Sequence, residues 1–272
     1  NYNGFSNAAN VNINAIKCSI DEKFKLPTTQ QFEKKITKKT KAILICNPGN
    51  PTGALYSKKE LIELSNIVKK HNLYLIADEV YREFVYDREH HTSILSLKNI
   101  EENSIIIDSV SKRYSMCGAR IGAIVSKNNE IIQTALKFSQ ARLSPPTFGQ
   151  LAAIEALNTS KDYFNQTIKE YNHRRKTLVS ELNQIPGIKC PMPKGAFYCI
   201  AELPIKDAEK FCQWLLEKFH FQNTTVMLAP ANGFYSANNI IKNQVRIAYV
   251  LKTEKLKLAA KIIKKGLELY KD

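Results

Sequence analysis

The chain has 272 residues and is 44% hydrophobic, enough for one large domain with a sizeable core and a smaller one beside it. Its formal net charge is +15, but the lysines are spread over helix faces (Lys34, Lys35, Lys69, Lys70, Lys261, Lys264) and are not interleaved with aromatics, so they read as a solvated surface and not as a nucleic-acid footprint. No apolar run reaches transmembrane length, which excludes a membrane-spanning helix.

The six cysteines form no CxxC and sit at no metal-ligand spacing with histidine. They read as buried thiols of a reducing compartment, the cytoplasm. The chain starts at Asn1 in mid-pattern without an initiator Met, so it reads as a piece of a longer protein, with an upstream targeting segment left open.

Residues 1–10 are rich in Asn, Gly and Ser and predict a loop. Residues 11–20 alternate apolar and polar (Val11, Ile13, Ala15) and predict a strand. Residues 28–38 predict a short helix with Phe32 and Ile36 inward. The run AILIC at 42–46 predicts a buried strand. The segment NPGNPTG at 47–53 must be a loop, because two prolines and two glycines exclude both helix and central strand.

Ser57 opens a helix and Glu60 completes a capping box, with Leu61, Leu64, Ile67 and Val68 on the inner face. LYLIA at 73–77 is the next strand and ends at Asp78. Strand, helix and strand in close succession predict a βαβ unit and parallel pairing. Ile105, Ile106 and Ile107 add a third strand, and residues 121–125 a fourth, antiparallel because its connection is short. Helices follow at 130–138, 147–157 and 162–185, the last with Phe164, Ile168, Tyr171, Leu178, Leu182 and Ile185 on one stripe and Pro186-Gly187 as its stop.

Beyond this point the pattern changes to short strands (196–201, 225–228, 244–250) and helices (208–219, 253–270). The predicted fold class is therefore α/β: a mostly parallel sheet with flanking helices over residues 1–165, then a long connecting helix and a smaller α+β domain over 166–272.

Three buried strands end in polar residues that converge on one sheet edge, where open α/β sheets bind their ligands. Asn50 follows the first, Asp78, Glu79 and Tyr81 the second, and Ser109, Ser111, Lys112 and Arg120 the third. An amine, a carboxylate, a phenol, an amide, hydroxyls and a guanidinium together suit a pyridine aldehyde phosphate. Lysine forms the Schiff base, an acid partners the ring nitrogen, and arginine with hydroxyls holds the phosphate.

Here the sequence resembles a known family. NPGNPTG at 47–53, ADEVY at 77–81, SVSKRYSMCGARIG at 109–122, KGAFY at 194–198 and QVRIAY at 244–249 look like the fold-type-I, class-I pyridoxal-phosphate aminotransferases. Order and spacing also match: 28 residues from Asn50 to Asp78, 34 from Asp78 to Lys112 and 8 from Lys112 to Arg120. The wording is most similar to the bacterial aspartate-aminotransferase-like branch.

The resemblance implies pyridoxal 5'-phosphate as cofactor, amino acid and 2-oxo acid as substrates of a ping-pong transamination, and a homodimer in the full-length protein. It implies roles as well. Lys112 carries the cofactor and shuttles the proton. Asp78 keeps the ring nitrogen protonated. Tyr81 and Asn50 hydrogen-bond the ring oxygen and lower the Schiff-base pKa. Ser109 and Arg120 bind the phosphate, with Ser111 a further candidate. Arg246 clamps the substrate α-carboxylate.

No second arginine stands out as a distal carboxylate clamp: Arg82, Arg113 and Arg142 are open to that role, with Arg113 expected to be engaged near the Lys112 loop, and a distal group from the missing N-terminal part or from a partner subunit keeps aspartate a reasonable donor. Two alternatives share the pattern: a pyridoxal-phosphate lyase of the carbon–sulfur β-lyase type, and the cofactor-binding domain of a transcriptional regulator. Relative to the family pattern the N-terminal third is missing. Glu79 reads as structural, Tyr198 as a strand residue, Cys117 as a buried inert thiol, and the five histidines as surface or helix-end residues.

Overall fold

A computed structural model describes residues 2–236 and 241–271. The chain divides into two compact units. One comprises Thr28–Glu170 with Lys194–Ala196, the other Asn1–Pro27, Tyr171–Pro193 and Phe197–Asp272.

The first unit is built on a four-stranded sheet in the order β1 (Ala42–Cys46), β2 (Tyr74–Asp78), β3 (Ser104–Ser109), β4 (Gly122–Ser126). The first three strands are parallel and β4 is antiparallel, as the sequence predicts. The helix joining β1 to β2, Lys58–Lys70, forms for local reasons. Ser57 accepts from the Glu60 amide while the Glu60 carboxylate accepts from the Ser57 amide, and Lys69 and Lys70 complement the dipole at the other end. Leu61, Leu64, Ile67 and Val68 are buried along it, and Ile43, Ile45, Leu75 and Ala77 supply the sheet side of the core.

The short helix Thr29–Glu33 is closed by a second capping box, Thr28 with Gln31; it is shorter than the 28–38 expected, and Phe32 is its buried anchor. Three helices follow: Val110–Arg113, Asn129–Arg142 and Thr147–Ala156. The second of these buries none of its residues and the third only Gly149, and Phe138, Phe148 and Leu157 are exposed.

The long helix Lys161–Asn183 runs from this unit into the other. Gly187 follows it at φ 82, in the left-handed region that glycine tolerates. The second unit holds a three-stranded antiparallel sheet in which β7 (Gln244–Ala248) lies between β5 (Tyr198–Glu202) and β6 (Ala229–Pro230). Helices Ala208–Glu217 and Thr253–Leu269 contribute Phe211, Leu215, Ile262 and Ile263 to its core, alongside Leu178, Val179 and Leu182 of the long helix.

Three expectations fail here. Residues 11–20 form no strand: alternation specifies a face, but a strand also needs a hydrogen-bonding neighbour, and Val11 and Ile13 are exposed. The third strand of the small sheet is not 225–228 but the two residues Ala229–Pro230, placed by pairing with Arg246 and Val245. Tyr2–Ala8, read as loop, is a helix that buries none of its residues, so its Asn, Gly and Ser content hides it from a packing argument.

Candidate active site

β1 runs straight into the loop NPGNPTG. The register sets Cys46 opposite Asp78 and Asp78 opposite Ile107, so β1 and β2 end level and β3 runs two residues further, to Ser109. The loop is tightly self-bonded. The Asn47 amide donates to the Asp78 carbonyl at 3.0 Å, the Asn47 side-chain oxygen accepts from the Tyr56 amide at 2.9 Å, and the Gly49 amide donates to the Ala54 carbonyl at 2.8 Å. The Asn47-Pro48 and Asn50-Pro51 peptides are both cis.

This geometry brings Asn50 to Tyr81: Asn50 Nδ2 lies 3.4 Å from the Tyr81 hydroxyl, whose ring is buried. Asp78, the last residue of β2, accepts from the Val80 amide at 3.3 Å and stays half-buried.

At the end of β3, Ser109 caps the short helix carrying Ser111 and Lys112. Its hydroxyl accepts from the Ser111 amide at 3.0 Å, and it lies 2.8 Å from the Ser111 hydroxyl and 3.0 Å from the Ile121 carbonyl. Lys112 is half-buried. Arg120 adopts the left-handed conformation, is exposed, and donates to the Cys117 carbonyl at 2.7 Å. Cys117 is itself exposed, against the buried thiol expected, because it sits in a surface turn.

Below this row lies an ion network. The Arg113 guanidinium meets both Asp108 oxygens at 2.9 and 3.0 Å and Glu83 at 2.8 Å, while Arg82 meets Glu83 and Asp108, each at 3.2 Å. Burial works against the charge on Arg113, but the carboxylates of Glu83 and Asp108 more than offset it and raise its pKa. Of the three arginines left open as a distal clamp, Arg82 and Arg113 are therefore engaged with carboxylates of this chain, Arg113 near the Lys112 loop as expected, and Arg142 is exposed at the end of its helix.

Sequence reasoning missed two features. Lys194–Ala196 is pinned between the loop and the segment after β2: the Lys194 and Gly195 amides both donate to the Gly53 carbonyl, at 2.8 and 2.9 Å, and Ala196 donates to the Phe84 carbonyl. The second is a buried acid beside a histidine. Glu79 is fully buried; its Oε1 accepts from the Ile94 amide at 2.9 Å and Ser93 also hydrogen-bonds the carboxyl. His91 Nε2 stands 3.8 Å from Glu79 Oε2, and the His91 ring hydrogen-bonds the backbone of Asn47. Burial pushes the Glu79 carboxyl up to about 7 and the His91 ring down to about 4. His91 is thus not the surface residue the sequence suggested. Its partner lies across a loop that periodicity does not describe, so only the acid next to Asp78 hinted at it.

In the second unit, Arg246 occupies the central strand β7, paired with Ile200 on one side and Ala229 on the other. Its guanidinium carbon stands 4.7 Å from the Tyr198 ring centre and 4.8 Å from that of Phe234. Tyr198 is the first residue of β5, as expected of a strand residue.

The family Aminotransferase class I and II matches residues 1–263. The aspartate aminotransferase of Pyrococcus horikoshii is 35% identical over 247 residues, covering 89% of this chain and 61% of that protein. Among solved structures, an aromatic aminotransferase from Pyrococcus horikoshii superposes with a TM-score of 0.82 at 34% identity, over 92% of this chain and 66% of that one. A Thermus thermophilus aspartate aminotransferase variant gives 0.87 at 28% identity, over 98% and 67%. The chain spans about 61% of the length of the curated aspartate aminotransferases it matches.

Proposed function

The chain belongs to the class I and II aminotransferases, and from that premise we propose that the protein exchanges an amino group between an amino acid and a 2-oxo acid, with pyridoxal 5'-phosphate as cofactor, in two half-reactions of a ping-pong cycle. The observation that carries this reading is the donor set at one end of β1, β2 and β3: Asn50 and Tyr81 3.4 Å apart, the Asp78 carboxylate, the Lys112 amine and the paired hydroxyls of Ser109 and Ser111. A phosphorylated pyridine aldehyde needs these groups, so the residues present fit it.

Bound there, the cofactor supplies the electron sink that lets the substrate lose a proton from Cα. The remaining work belongs to the chain. Lys112 Nζ would anchor the cofactor and, once released by the incoming amine, would take the proton from the substrate Cα and deliver it to the cofactor's aldehyde carbon, the transfer that leaves the amino group on the cofactor and the oxo group on the substrate. The Asp78 carboxylate accepts the hydrogen bond of a protonated ring nitrogen and favours that proton by its charge. Asn50 and Tyr81 orient the ring oxygen. Ser109, Ser111 and Arg120 bind the phosphate, Arg120 by exchanging its bond to Cys117 for a charge-assisted one.

Arg246 grips the substrate α-carboxylate through the planar fork of its guanidinium, which lies over the rings of Tyr198 and Phe234. With Arg82 and Arg113 committed to Glu83 and Asp108, selection of a second, distal carboxylate falls to another group, and aspartate is the donor proposed from the relatives. The full-length protein is proposed to act as a homodimer in the cytoplasm. Borohydride reduction of the loaded full-length protein, followed by peptide mapping, tests the core of this reading. The label is expected on Lys112, and a label on any other lysine would overturn the assignment.

A further inference from the structure

We propose that Glu79 and His91 share a single proton, held on Glu79 Oε2 toward His91 Nε2, and that this neutral pair is a positioning device for Asp78 and for the loop that carries Asn50. Both atoms are buried and neither has another hydrogen-bond partner; they face each other at 3.8 Å, which a small side-chain rotation closes. The Glu79 side chain is 1% exposed and that of His91 9%. Two orphaned polar atoms in so dry a place are costly, and one proton between them satisfies both.

An ionised pair would be the alternative. The charged groups facing the site speak against it: Arg82 favours a carboxylate and opposes an imidazolium, Asp108 does the reverse, and those two are already paired with each other at 3.2 Å. Burial therefore decides, and it favours the neutral forms of both. The direction of each pKa agrees: raised for Glu79, lowered for His91.

The pair touches the functional row at two points. Glu79 follows Asp78 directly, and its backbone amide donates to the Ile107 carbonyl at 3.0 Å. Its carboxyl fixes the turn at Ser93 and Ile94 from which His91 projects back. The His91 ring then bonds the backbone of Asn47, whose amide bonds the Asp78 carbonyl. A closed circuit thus runs from the end of β2 to the start of the NPGNPTG loop, through buried and half-buried groups. Asp78 and Asn50 hang on its two arms.

The positioning role rests on the function proposed above, but the shared proton does not, and the experiment separates them. Infrared spectra of the full-length protein at pH 6, where ordinary carboxyls are ionised, should show a protonated-carboxyl band that Glu79→Gln removes and His91→Leu shifts. A spectrum unchanged by Glu79→Gln would overturn the shared proton whatever the protein catalyses. For the positioning role, Glu79→Ala and His91→Ala are expected to lower kcat on the order of 10²-fold, as small misplacements do, and to move the pH midpoint of the bound cofactor's visible band. Glu79→Gln, whose amide can still donate to His91 and accept from Ile94, should restore both to within a few fold. If the alanine variants leave that midpoint in place, or Gln behaves like Ala, the pair is structural packing and not a positioning device. If the protein holds no pyridoxal phosphate, the function fails while the infrared result stands.

Discussion

The Arg246 guanidinium lies 4.7 Å over the ring of Tyr198, a residue two positions along the neighbouring strand from its own pairing partner, Ile200. The two share one face of the small sheet, and the ring of Phe234 also lies 4.8 Å from the guanidinium carbon. Aromatic faces stabilise a guanidinium by about 0.5–1 kcal/mol each at exposed sites, and they also fix its plane. Arg246→Lys keeps the charge and loses the fork. It is expected to raise KM for aspartate, alanine and phenylalanine alike, on the order of 10²-fold, the worth of a bidentate charged contact, and to leave their decarboxylated amines nearly unchanged. Tyr198→Leu should give the same pattern at about 3- to 5-fold. A loss confined to aspartate would identify Arg246 as the distal clamp and overturn its proposed role.

Asp78→Asn is expected to abolish transamination far more than it weakens cofactor binding. In the proposed roles the carboxylate acts by its charge on a ring nitrogen, whereas the phosphate contacts proposed for Ser109, Ser111 and Arg120 are untouched. Losing a preorganised charge should cost about 4 kcal/mol or more, roughly three orders of magnitude in kcat. Measured side by side, kcat and the dissociation constant for pyridoxal phosphate separate the two effects. Near-normal turnover in the variant would mean that another group keeps the ring protonated.

The buried acid and histidine also predict how stability depends on pH. The folded-state pKa of Glu79, about 7, lies above the ordinary 4.5, so between those values the folded chain binds the extra proton and stability falls as pH rises. His91, at about 4 against 6.5, does the opposite: the unfolded chain binds the extra proton, and stability rises with pH across that window. In the wild type the two slopes largely cancel between pH 4.5 and 6.5. Glu79→Gln should expose the rising limb and His91→Gln the falling one, each on the order of 3 kcal/mol from end to end. Urea unfolding at pH 4.5, 5.5, 6.5 and 7.5 reads this directly, and parallel pH curves for all three proteins would contradict it.

What the sequence revealed depended on how far apart the cooperating residues are. The runs AILIC, LYLIA and III are strands whose β-branched and apolar residues mostly go to the interior; Ile43, Ile45, Leu73, Leu75, Ala77, Ile105 and Ile106 are buried, while Leu44 is exposed. The capping box at Ser57–Glu60 closes within one turn, so it could be read before any tertiary contact was known; the one at Thr28–Gln31 emerged with the structure. The row of polar residues at the strand ends followed from parallel pairing alone.

Long-range partnerships were not visible. Residues 11–20 alternate but have no neighbouring strand, and Ala229–Pro230 alternates with nothing yet is placed by pairing with β7. Arg175, in the middle of the long helix, is fully buried and bonds the carbonyl of Pro193, which no helical periodicity announces. His91 and Glu79 meet only because a loop folds back.

Gly195 marks another such meeting, and it yields the last prediction. A Cβ at this position would stand 2.5 Å from Pro48 Cβ, closer than real Cβ atoms come, and a tight 3.0 Å from the Phe84 carbonyl. Neither neighbour yields easily. Pro48 belongs to the self-bonded loop, and the Phe84 carbonyl is fixed by the Ala196 amide at 2.9 Å. Gly195→Ala must therefore push Lys194–Ala196 away from the loop, weakening the two amide bonds to the Gly53 carbonyl and the 2.6 Å bond from the Tyr86 hydroxyl to the Ala196 carbonyl. Overpacking of this kind costs about 1–3 kcal/mol, and Gly195→Val should cost more. Because Asn50 sits in the loop that Gly195 touches, the alanine variant should also weaken pyridoxal phosphate binding, while the conservative change Lys194→Arg, which keeps the backbone in place, should leave both stability and binding close to wild type. Thermal unfolding and cofactor titration measure the two effects. A Gly195→Ala protein as stable as the wild type would show that the loop and the KGA segment move apart at no cost, and that the clip between them does not hold the Asn50 loop in place.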